Sequence, residues 1–120
     1  MKNVLIVEDD KAIRRSLEFG LKSEEFAIRV AQDGEEGLVA IKEQRPDLIL
    51  LDVILPKVSG LDVLKEIKDN PDTADIPVII FSNLSQDLDI ERAKKLGARD
   101  YFVKSDMSLN EVIDKIKNFL

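Results

Sequence analysis

The chain has 120 residues, a length at which one hydrophobic core is stable without disulfides or structural metal. It contains neither cysteine nor histidine, which excludes disulfide frameworks and thiolate chemistry and removes the commonest general base and zinc ligand. The net charge of -6 comes from interspersed acids and bases with no basic stripe, which argues against direct binding to nucleic acid or anionic lipid and leaves carboxylate, hydroxyl and amine chemistry.

The first element, Val4-Leu5-Ile6-Val7, is apolar without alternation, as expected of a strand covered on both faces. It ends in Glu8-Asp9-Asp10, after which Ile13, Leu17, Gly20 and Leu21 recur at helical spacing. Phe26-Ala27-Ile28-Arg29-Val30 predicts a more polar strand suited to a sheet edge, and Leu38 and Ile41 mark the next helix. Leu48-Ile49-Leu50-Leu51, introduced by Pro46 and followed by Asp52, is a second buried strand; Leu61, Leu64 and Ile67 give the helix after it. Asn70-Pro71-Asp72 reads as a loop, and Pro77 introduces Val78-Ile79-Ile80-Phe81, a strand with Ser82 at its end. Residues 86–96 form the least regular helical stretch, stopped by Gly97. Tyr101-Phe102-Val103 is a short strand ending in Lys104, and Leu109, Val112, Ile113 and Ile116 define a last helix with Ser108 and Glu111 at capping-box spacing.

Five strand-helix units in succession predict an α/β fold, an open parallel sheet with helices on both faces and right-handed crossovers. Periodicity leaves the strand order open. The expected organisation is a single domain over residues 1–120 with no output domain and no membrane insertion, in the cytoplasm.

In such a sheet, ligands bind beyond the carboxyl ends of the strands. Glu8, Asp9, Asp52, Ser82 and Lys104 all follow strands directly. Taken singly, Asp9 or Asp10 is as readily a helix cap, Asp52 a loop acid, Ser82 a turn hydroxyl and Lys104 a solvated amine. Their joint placement at four strand ends points instead to a metal-dependent phosphate site. Several carboxylates at one rim repel each other without a cation, and a hard oxygen site suits Mg2+, with Mn2+ as a substitute. The candidate ligands are Asp9, Asp52, Glu8 through water, and the backbone carbonyl of Ile54. Asp52 is the candidate nucleophile for forming an acyl phosphate, with Lys104 pairing with one phosphoryl oxygen and Ser82 hydrogen-bonding another.

At these residues the chain resembles the receiver domains of bacterial two-component response regulators, over essentially its whole length. Val4 to Asp10 resembles the family's first strand with its acidic pair, falling on Glu8 and Asp9; residues 50–60 resemble the phosphoacceptor segment, with Pro56 and Gly60 at the expected offsets. Ser82 falls on the Ser/Thr switch position, and residues 97–104 resemble the strand bearing the aromatic switch, Tyr101, and the lysine, Lys104. The resemblance implies a flavodoxin-like, doubly wound three-layer fold with five helices and strand order 2-1-3-4-5. It further implies a phosphorelay in which a histidine kinase or phosphotransfer protein supplies the phosphoryl group to Asp52. Ser82 then moves toward the phosphate, Tyr101 swings inward, and a downstream protein target reads the change. The protein would be a monomer or a homodimer formed on phosphorylation, and it would catalyse only its own phosphorylation and dephosphorylation. By the same analogy the exposed side of the first helix, including Arg14 and Arg15, docks the kinase. Two positions depart from the family: Asn83 stands where a small residue is usual, and Ser105 where proline is. A cis peptide after Lys104 would therefore cost about 3 kcal/mol, against under about 1 for a proline bond.

Other classes fit less well. A haloacid-dehalogenase phosphatase needs a second Asp two residues after its nucleophile, where this chain has Ile54, and a flavodoxin would not place three acids in its phosphate loop. The remaining alternative is a receiver-like interaction module that is not phosphorylated.

Overall fold

The unbroken apolar runs become the centre of one parallel sheet. In the computed structural model, which describes residues 2–22, 25–84 and 86–120, β1 (Lys2–Val7), β3 (Leu48–Leu51) and β4 (Val78–Ser82) are flanked by the edge strands β2 (Phe26–Ala31) and β5 (Asp100–Val103). The order is β2-β1-β3-β4-β5, as the resemblance implies. Between the strands run α1 (Lys11–Leu21), α2 (Gly34–Glu43), α3 (Gly60–Asp69) and α4 (Asp87–Lys95), and α5 (Leu109–Phe119) follows β5.

Burial on both faces explains the absent alternation. Val4, Ile6, Leu48, Leu50, Ile79 and Phe81 face one way and pack with Leu17 and Leu21 of α1 and Val112, Ile113 and Ile116 of α5. Leu5, Val7, Ile49, Leu51, Val78 and Ile80 face the other way, toward Ile41 of α2, Val63, Leu64 and Ile67 of α3, and Ala93 of α4. Leu17 and Leu21 are fully buried, each stabilising the fold by roughly 2 kcal/mol through burial alone.

Side-chain caps fix the starts of α1, α2 and α5. Asp10 accepts from the Ile13 N–H (3.1 Å) and Asp33 from the Glu36 N–H (2.8 Å), while Ser108 and Glu111 form the expected capping box. The irregular stretch at 86–96 is a helix over Asp87–Lys95, with Ala93 its one buried residue. It ends at Gly97, whose φ of 106° lies where only glycine is unstrained. After β5 the chain makes a 3-10 turn over Lys104–Asp106, and no peptide bond among the described residues is cis, so Ser105 is accommodated by a trans lysine loop. Among the described residues no helix is long and apolar enough to cross a membrane.

Candidate functional site

The sheet register carries Glu8 and Asp52 to the same rim. Val7 pairs with Leu51, so the residue after each emerges beside the other. The Asp52 N–H donates to the Val7 carbonyl and the Glu8 N–H to the Ala31 carbonyl, each at 3.0 Å, extending the ladder past the last strand residues. On the other side of Asp52, the Gly60 N–H donates to the Val53 carbonyl (2.8 Å). A Cβ on Gly60 would lie 1.9 Å from the Asp52 carbonyl oxygen and 2.6 Å from the Val53 Cα. The phosphoacceptor-like segment thus closes onto its own backbone, and only glycine permits that approach. The intervening loop turns through Lys57, at φ 70°, whose ammonium pairs with Asp33 at 3.5 Å.

Lys104 enters this rim from the end of β5. Its Nζ donates to Glu8 and to Asp52 Oδ2, both at 2.9 Å, and lies 5.5 Å from the centre of the Phe81 ring. The Glu8 and Asp52 side chains are 2% and 6% exposed and that of Lys104 14%, so the triad is held in low dielectric where charge interactions are strong. Burial pushes the Glu8 carboxyl up to about 7; the hydrogen bond from Lys104 opposes the rise and the Asp52 charge adds to it. Burial works against a charged Lys104, but the bonds to Glu8 and Asp52 outweigh it and hold the ammonium above its usual range.

One ammonium faces two buried carboxylates, and an exposed third stands beside them. Glu8, Asp9 and Asp52 each offer an oxygen within 4.8 Å of the others. This all-oxygen donor set, carrying more negative charge than Lys104 offsets, fits a hard divalent cation such as Mg2+ or Mn2+. Ile54 stands at the same rim, its side chain exposed and its N–H donating to Asp52 Oδ1 (3.2 Å).

The hydroxyl closes β4, and the aromatic ring comes from the second residue of β5. Ser82 is fully buried and its Oγ accepts from the Leu84 N–H (3.3 Å). The Tyr101 ring packs against the core cluster that includes Leu51 and Ile80, and its hydroxyl donates to the Leu84 carbonyl at 2.5 Å. Burial raises the Tyr101 pKa, the charges of Asp89 and Asp52 add to the rise, and the neighbouring Ser82 hydroxyl opposes it. Asn83 is exposed, so the larger residue at that position does not fill the space Tyr101 occupies.

Glu8, Asp9, Asp52 and Lys104 are therefore brought into one cluster, while Ser82 and Tyr101 meet at Leu84 rather than at the carboxylates. Arg15 is exposed, but the Arg14 guanidinium turns back and donates to the carbonyls of Glu8 and Asp9, both at 2.9 Å. The signal was its position one helical turn after the cap Asp10, which aims it at the acidic turn.

Residues 4–117 match the family described as the response regulator receiver domain. The chain is 40% identical over 104 residues to the transcriptional regulatory protein AfsQ1 of Streptomyces coelicolor, covering 87% of this chain and 45% of that protein. It thus spans about half the length of the curated relatives it matches. Among solved structures, the Mn2+-bound form of response regulator Rcp1 superposes with a TM-score of 0.89 at 33% identity, covering 99% of this chain and 94% of that one. The phosphorylated cyanobacterial phytochrome response regulator RcpA does so with a TM-score of 0.86 at 33% identity, over 98% and 90%.

Proposed function

The chain belongs to the response-regulator receiver domain family, and on that premise we propose that it is a phosphoacceptor module in which Asp52 takes a phosphoryl group from a histidine kinase or phosphotransfer protein. The observation that carries this reading is the buried bridge from Lys104 to both Glu8 and Asp52, with Asp9 completing a carboxylate cluster. Glu8, Asp9, Asp52 and the Ile54 carbonyl are the groups that would hold Mg2+. The metal supplies charge neutralisation at the phosphoryl oxygens.

An Asp52 carboxylate oxygen attacks phosphorus in line with the donor's phosphoimidazole nitrogen. The P–O bond forms as the P–N bond breaks; the bonding pair returns to the imidazole, which takes up a proton, and the product is an acyl phosphate. Lys104 releases part of its hold on Asp52 to pair with one phosphoryl oxygen, and the Ser82 hydroxyl donates to another. Drawing Ser82 toward the phosphate disturbs its bond with the Leu84 N–H, and Tyr101, bonded to the Leu84 carbonyl, follows that loop. The output is altered binding of a protein target, without direct contact to nucleic acid. The only reaction catalysed is the domain's own phosphorylation and dephosphorylation, in the cytoplasm. Rcp1 and RcpA support the reading, since the first is described with bound Mn2+ and the second as phosphorylated.

The test is intact-mass measurement after incubation with a small phosphodonor. Wild type with Mg2+ gains one phosphoryl group, whereas wild type in chelator and Asp52→Asn do not. Unmodified wild type in the presence of Mg2+ would leave a receiver-like interaction module instead.

A further inference from the structure

The three carboxylates of the cluster are not equally supported. Asp52 is fixed by the ladder bond to Val7, by Gly60 beneath it and by Lys104; Glu8 is buried, bonded to Lys104, and receives the Asp10 N–H on Oε1 at 3.3 Å. Asp9 is exposed and lies in the turn between β1 and α1, where burial does nothing to hold it. One nitrogen of Arg14, Nη1, spans this turn by donating to the carbonyls of Glu8 and Asp9, each at 2.9 Å. Both bonds go to main-chain oxygens, so Arg14 fixes the peptide and leaves the carboxylate oxygens to other partners.

From this geometry, and resting on the metal-dependent reading above, we infer that Arg14 is a positioning residue that clamps the acidic turn so that Asp9 stays in register with Glu8 and Asp52 for a divalent cation. Its main-chain grip plays the part that outer-shell partners play for metal ligands, whose loss weakens binding by about tenfold or more. The sign of the effect separates a clamp from a charge. If Arg14 acted through charge alone, removing a cation next to the site would tighten binding of another cation. A clamp predicts the opposite.

The experiment titrates the full chain with Mn2+ and follows the electron paramagnetic resonance signal of the free ion. Arg14→Gln should raise the Mn2+ dissociation constant about tenfold, while Arg15→Gln keeps the wild-type value. Arg14→Lys keeps the charge on a stem one bond shorter, so it should also bind Mn2+ more weakly than wild type. With a small phosphodonor, the loss in Arg14→Gln should appear as a higher Mn2+ concentration for half-maximal phosphorylation rather than as a lower maximal rate. Wild-type or tighter Mn2+ binding by Arg14→Gln would overturn the clamp, as would wild-type binding by Arg14→Lys if the glutamine variant does not fold. A wild-type protein that leaves the Mn2+ signal unchanged would overturn the metal reading itself, and the clamp with it.

Discussion

Where β1 and β3 end, the chain buries two carboxylates side by side under one ammonium; where β4 ends, it places a hydroxyl that shares a single loop residue, Leu84, with a phenol carried by β5. The first region is fixed by backbone. Asp52 is held by the ladder and by the contact of Gly60 with its carbonyl, and little there can move without disturbing the sheet. The second is held by individual hydrogen bonds to one segment, each worth about 1 kcal/mol, which a new partner at Ser82 can redirect. On the proposed phosphoacceptor reading, accepting the phosphoryl group and responding to it would fall to the backbone-fixed region and the hydrogen-bonded region respectively.

The sharpest way to break the rigid half is Gly60→Ala. Its Cβ would overlap the Asp52 carbonyl oxygen and the Val53 Cα, both backbone, so the segment must shift. Urea denaturation should record a loss of about 3 kcal/mol, and phosphorylation should fall with it. Near wild-type values in both would mean that this close approach is not what positions Asp52.

The charge in the rigid half is tested by pH. The folded-state pKa of Glu8 lies above its unfolded value, so the native state binds the extra proton. Its contribution to stability is fully present below the ordinary value of 4.5 and is lost as pH rises toward about 7. In chelator, wild type should therefore lose stability between those limits relative to Glu8→Gln. Parallel pH profiles for the two would contradict the burial cost assigned to Glu8.

The relay half should respond more mildly. Tyr101→Phe removes the bond to the Leu84 carbonyl and should cost about 1 kcal/mol by the same denaturation assay, with the rate of phosphorylation unchanged. A large fall in phosphorylation rate would show that the two halves are not separable.

The same contrast governs what could be read from the sequence. The rim acids were legible because Val4–Val7 and Leu48–Leu51 are unbroken buried runs whose ends are unmistakable, so Glu8 and Asp52 follow by position. Strand limits at the edges were less clear: β1 begins at Lys2 because it pairs with Phe26 of β2, a bond that hydropathy does not register. The bounds of α4 were soft for a related reason, since Ala93 alone is buried there. Strand order came from resemblance, not from periodicity. For Arg14 the sequence offers only its spacing of one helical turn from Asp10; the reach of its guanidinium back to two carbonyls is a property of the fold. Asn83 and Ser105 departed from the family pattern, yet an exposed side chain and a trans 3-10 turn accommodate them.

Modification of the Asp52 carboxyl can be read directly. An acyl phosphate is reduced by borohydride where a free carboxylate is not, converting the modified aspartate to homoserine. After phosphodonor treatment with Mg2+, reduction and peptide mass analysis should find homoserine at residue 52 and at no other aspartate. Homoserine at Asp9 or Asp10, or none anywhere, would contradict the assignment of Asp52 as the phosphoacceptor.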